Sequence, residues 1–163
     1  MQIEKYRTES TVDNLIYTFE SVGEKVINKM VVYTRIKDPR TIALPPNTIV
    51  FNLAFGDWDS ETDYLDDQVE SKNRDTEKVL ATVANTAFEF WEEYPDALIF
   101  FRGSQPTGEK ARRTRLYQMK INRYFADISL IADVRGFENY GWEQFMVDKN
   151  YIAFLISQKN QVF

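Results

Sequence analysis

Between residues 102 and 123 the chain carries Arg102, Lys110, Arg112, Arg113, Arg115, Lys120 and Arg123 against one acid, Glu109. The whole protein has a net charge of −5, so this basic run is a local anomaly. Guanidinium forks match the geometry of phosphate oxygens. A helix N-terminus adds backbone amides that favour the same anions. Gly103, Ser104, Arg112, Arg113, Arg115 and Tyr117 are therefore the candidate anion-binding residues. Tyr117 and Tyr124 add rings on which bases can stack. The plainer reading is a solvated helix face whose charges pair with acids elsewhere. Cations near a helix N-terminus oppose its dipole, so stability alone does not call for them.

A second charged block, Asp57 to Glu70, holds Asp57, Asp59, Glu61, Asp63, Asp66, Asp67 and Glu70 and no base. Alternate carboxylates resemble the start of a calcium loop. Thr62 stands where that loop needs glycine, and Gln68 where it needs a bidentate glutamate. The expectation is a solvated hairpin turn and no metal. Asn52, Asp57 and Trp58 form a third polar group at the end of an apolar run. The expectation there is that Asn52 caps a sheet edge and Asp57 sits in an Asx turn.

Other chemistry is limited by what is missing. The sequence has no cysteine and no histidine. Thiolate nucleophiles, disulfides and zinc–thiolate sites are excluded, and Ser104 has no imidazole to activate it. Glu109 occupies the lysine position of a would-be Walker loop, and no dinucleotide fingerprint is present. No cofactor is expected, and an enzyme is the less favoured reading. The polar N-terminus has no apolar signal core, and no apolar run approaches the length of a bilayer span. The expectation is a cytoplasmic protein with no membrane partner.

The elements that must position these residues follow from pattern. At 163 residues and 44% apolar, the chain is expected to form one domain, 1–163. Aromatics reach 15%, which favours strands. Strands are expected near 6–19, 26–36, 48–55 and 64–71, as an antiparallel meander. The proline-bearing stretch 37–47 is read as a loop. Asp75 is read as the N-cap of a helix with Leu80, Val83, Ala84, Ala87, Trp91 and Tyr94 on its apolar face, stopped by Pro95. Ala97–Phe101 is a buried central strand. Residues 109–128 are a helix with a break near Lys120. Two or three strands follow, roughly 131–137, 142–147 and 151–157. The fold class is α+β: a curved antiparallel sheet of about seven strands packed against two main helices.

The runs Phe51-Asn-Leu-Ala-Phe-Gly-Asp57, Glu77-Lys-Val-Leu-Ala-Thr-Val-Ala84, Gly103-Ser104 and Arg113-Thr-Arg-Leu-Tyr-Gln-Met119 resemble a family of small bacterial proteins classed as a domain of unknown function. The resemblance covers nearly the whole chain. It implies no activity, and it points to Gly103, Ser104, Arg113, Arg115 and Tyr117. The loop after Ser104 is longer here than in that pattern, and Lys120 replaces a helix-breaking glycine.

Three functions remain open at this level. The first is a binding module for single-stranded nucleic acid or another phosphate-bearing ligand. The second is a protein-interaction module that forms a homodimer through its opposite charge blocks. The third is a histidine-free phosphoesterase or toxin-like nuclease.

Overall fold

The computed structural model describes residues 4–59, 61–62, 64–66, 73–102, 110–139 and 141–159, with positions 64, 66 and 110–117 described by their backbone. In chain order the strands and helices are β1 (Glu9–Ser10), β2 (Ile16–Val22), β3 (Val26–Arg35), β4 (Val50–Asp59), β5 (Tyr64–Asp66), α1 (Thr76–Glu93), β6 (Leu98–Phe101), α2 (Lys110–Ile128), β7 (Ala132–Glu138), β8 (Gly141–Gln144) and β9 (Ala153–Gln158). Eight strands follow the hydrogen-bonded order β1-β2-β3-β4-β6-β9-β7-β8, and β5 pairs with β4 outside that row. The class is α+β with a mostly antiparallel sheet, and the row has eight strands where seven were expected. The two-residue β1 is too short to leave a sequence pattern. No helix among the described residues is long and apolar enough to cross a membrane.

The chain forms two compact units, one from residues 2–34 and 53–95, the other from 35–52 and 96–163. In the first, β2 and β3 pair antiparallel from Ile16↔Val32 to Val22↔Val26. Tyr17, Phe19 and Ser21 on β2 and Lys29, Val31 and Tyr33 on β3 are buried, and their neighbours are more exposed. That period of two marks the covered face. Helix α1 lies on it. Tyr33 stacks on Phe90 at 4.4 Å, and its hydroxyl meets Thr86 Oγ1 at 2.7 Å. Thr86 Oγ1 donates to the Val83 carbonyl at 2.6 Å, so the phenol is the donor to Thr86.

The buried face of α1 is Val79, Thr82, Val83, Thr86, Ala87, Phe90 and Trp91. It is rotated from the expected stripe, and Ala84 faces solvent. Two threonines enter it because their hydroxyls bond back to helix carbonyls, Thr82 to Lys78 at 2.7 Å. The first strand is also corrected. Residues 11–15 form a turn, with Asn14 at φ 58°, and β2 begins only at Ile16.

Strand β4 runs on through Gly56 and Asp57, where a turn was expected. Asn52 pairs with Phe100 inside the ladder, so it caps no edge. Asp57 bonds Lys29 and sits in no Asx turn. Lys29 is 4% exposed, and the carboxylate that neutralises it must come from the neighbouring strand. Pairing with β5 carries the extended chain on to Asp59, whose own carboxylate accepts the Glu61 amide at 2.9 Å in the β4–β5 turn.

In the second unit, β6 runs parallel to the start of β4 and antiparallel to β9, which pairs in turn with β7. The apolar run of β6 suits a strand covered on both faces. On one face, Phe101 stacks on Phe154 at 5.3 Å, and Phe145 bridges Phe154 to Phe125 of α2. On the other lie Leu44, Val50, Phe100, Ala153 and Leu155, with Ile42 and Trp142 packed against them. The proline-bearing loop supplies this cover through a 3-10 turn, Pro39–Ile42, capped by the Asp38 carboxylate. The Trp142 indole N–H donates to the Ile42 carbonyl at 2.8 Å.

Three stability outcomes follow. A Cβ on Gly136 would fall 2.2 Å from the Tyr151 ring. Gly136→Ala is expected to cost about 1–3 kcal/mol, read from the urea midpoint. The fully buried Tyr17 hydroxyl has no partner among the described residues. Removing it as Tyr17→Phe is expected to raise stability by about 1 kcal/mol in the same assay. Asp57→Leu leaves Lys29 buried and charged, at a cost of about 3 kcal/mol, and Lys29→Met added to it recovers most of that loss in a double-mutant cycle.

Candidate functional site

Helix α2 carries the basic run, and its first turn contains no acid. Its first acid is Asp127, close to its C-terminal end. The helix is anchored by Ile121, 9% exposed, by the Phe125–Phe145 contact at 5.1 Å, and by two amides. Gln118 Oε1 accepts the Tyr151 N–H at 3.2 Å. Asn122 Oδ1 accepts the Asp148 N–H at 3.2 Å and a Gln118 side-chain N–H at 3.3 Å. These bonds fix the turn between β8 and β9 onto the middle of α2.

That turn is itself tied by charge. Lys149 Nζ lies 2.7 Å from Glu138 and 2.8 Å from Glu143, and the Tyr151 hydroxyl donates to Glu143 at 3.0 Å. Glu138 and Glu143 hold the Lys149 ammonium well above the ordinary lysine range. Lys149 in turn lowers Glu143. The group is half-buried and still open to solvent, so its role is to set the shape of the turn.

Of the expected site residues, Gly103 and Ser104 lie outside the described residues. Arg112, Arg113, Arg115 and Tyr117 fall on the backbone of α2. At 3.6 residues per turn, positions 113, 117 and 120 share one stripe, with 124 next in line. Positions 112, 115, 119 and 123 share another, on the side away from Ile121. The helix therefore divides the expected set, with Arg113 and Tyr117 on one flank and Arg112 and Arg115 on the other. Non-helical angles occur at Tyr124, φ −108° and ψ 15°, and the expected break at Lys120 is absent. The Arg123 guanidinium lies 5.3 Å from the Tyr124 ring centre, and Met119 is 65% exposed.

Gln118 and Asn122 were not among the candidates. Two amides four residues apart on an apolar helix face are the signal that identifies them. Of the acidic stretch, Asp63, Asp67 and Glu70 lie outside the described residues. No group of three His, Cys, Asp or Glu side chains among the described residues is placed to hold a metal. Asp57 faces Asp66 across the β4–β5 register, and its carboxylate is taken by Lys29.

No curated protein and no solved structure matches the chain. Residues 2–159 match the family model described as Family of unknown function (DUF6934), and the chain belongs to that family.

Proposed function

We propose that this protein binds single-stranded nucleic acid, or a ligand with the same phosphate chemistry, along α2. One observation carries the reading: six cations precede the first acid of this helix, and none of its first-turn residues is acidic. Such a helix adds its own N-terminal dipole to the side-chain charge, and both favour a polyanion. The turn between β8 and β9 is bonded to the middle of the helix through Gln118 and Asn122, and such pre-ordering lowers the entropy lost on binding.

The flank of Arg113, Tyr117 and Lys120 alternates cations with an aromatic residue, the combination that single-strand binders use on backbone and base. The flank of Arg112, Arg115 and Arg123 offers charge beside the exposed Met119. The first flank is the proposed nucleic-acid contact, and the second adds long-range attraction.

Fluorescence anisotropy with labelled single-stranded RNA and DNA across a salt series tests this. Binding is expected to weaken steeply with salt, the slope falling by about 0.7 for each phosphate contact removed. Arg112→Glu, Arg113→Glu and Arg115→Glu combined should abolish binding. Arg113→Glu with Lys120→Glu should cost more affinity than Arg112→Glu with Arg115→Glu. Absence of salt-sensitive binding to mixed oligonucleotides at low salt overturns the proposal.

A further inference from the structure

Residues 4–8 belong to no helix or strand, and side chains hold them against their unit. The Tyr6 N–H donates to Thr82 Oγ1 at 2.8 Å, and Lys5 Nζ donates to Asn85 Oδ1 at 3.0 Å. The Tyr6 ring stacks on Phe19 at 5.7 Å and 22°. Lys78 Nζ sits 4.2 Å from the centre of the same ring, within range of a cation–π contact. The Tyr6 hydroxyl donates to Asp75 Oδ2 at 2.6 Å and accepts the Val22 N–H at 3.1 Å. Asp75 Oδ2 also accepts from Ser21 Oγ at 2.5 Å, and Ser21 is held in turn by an Asn73 amide N–H at 3.0 Å.

A buried tyrosine hydroxyl usually finds a hydrogen-bond partner. Here the notch supplies an acceptor, a donor, an aromatic floor, a cation, and a hydroxyl for the adjoining backbone amide. Asp75 shows the same bias. It stands at the N-cap of α1 but makes no side-chain bond to the first-turn amides. Its carboxylate serves the phenol and Ser21 instead.

We propose that residues 4–8 are a strap that opens locally, and that the notch beneath it binds phenol-bearing side chains, with Tyr6 as the resident occupant. Lifting the strap leaves the β2–β3 ladder and α1 with their own backbone hydrogen bonds, the condition for opening without global unfolding. The opened notch bares Phe19, Ser21, Asp75, Lys78 and Thr82. The fitting ligand is a tyrosine in an extended peptide, because the site reads both the phenol and the backbone N–H beside it.

Two measurements on the full chain test this. Trypsin has targets in the strap at Lys5 and Arg7. Under native conditions Tyr6→Phe is expected to speed cleavage after Arg7 about tenfold, while the melting temperature of the remainder changes little. Cleavage that rises only in step with global unfolding overturns the strap. In Tyr6→Ala, p-cresol is expected to raise the melting temperature, toluene to raise it less, and neither to affect the wild type. The hydroxyl contacts to Asp75 and Val22 set that order. A Tyr6→Ala chain that fails to fold, or one indifferent to p-cresol, overturns the phenol site.

Discussion

A tyrosine hydroxyl removed from water has to find a partner, and much of this structure is arranged around that constraint. Tyr33 donates to Thr86 and so fixes α1 on its sheet. Tyr6 reaches Asp75 and draws the N-terminal segment onto the same unit. In the other unit, Tyr151 donates to Glu143, accepts the Met146 N–H and lies flat over Gly136. Burial raises the pKa of all three phenols, so each stays a neutral donor. Tyrosine joins apolar surface and polar bonding in one residue, as Trp142 also does through its indole N–H. Tyr17 follows the burial without a bond among the described residues.

The elements legible in the sequence were those whose burial pattern comes from one dominant contact. Val26–Arg35 alternates because a single helix covers one of its faces. Leu98–Phe101 is uniformly apolar because both of its faces are covered, and Pro95 marks the end of α1. What misled was local polarity. Gly56-Asp57 reads as a turn until Lys29, far away in sequence, is known to need that carboxylate. Asp75 reads as a helix cap until Tyr6 and Ser21 are seen to compete for it. Thr82 and Thr86 look too polar for a core face because their bonds to helix carbonyls leave no trace in composition.

The candidate site was legible as a charge anomaly and not as a geometry. Arg112, Arg113 and Arg115 are adjacent in sequence, yet helical register sends them to different flanks. The helix runs on through Lys120, a good helix former where a glycine would have ended it, and its non-helical angles fall at Tyr124 instead. Gln118 and Asn122 matter for what they hold. They fix the position of the turn from residue 145 to 151 against the helix that carries the charge.

Strand β9 lies between β6 and β7, so Ile99 waits for Ile156 before its antiparallel ladder can form. During synthesis the Leu-Ile-Phe-Phe run of β6 is made long before that partner. It has four apolar residues with no charge among them, and one edge has its hydrogen-bonding groups open. Such a segment is the kind that pairs with other chains when left alone. The interval includes α2, which is highly charged and can form locally while the sheet is incomplete. The same helix that is proposed to meet a ligand thus also gives the nascent chain a soluble, self-repelling stretch, at the stage when its most adhesive strand is uncovered.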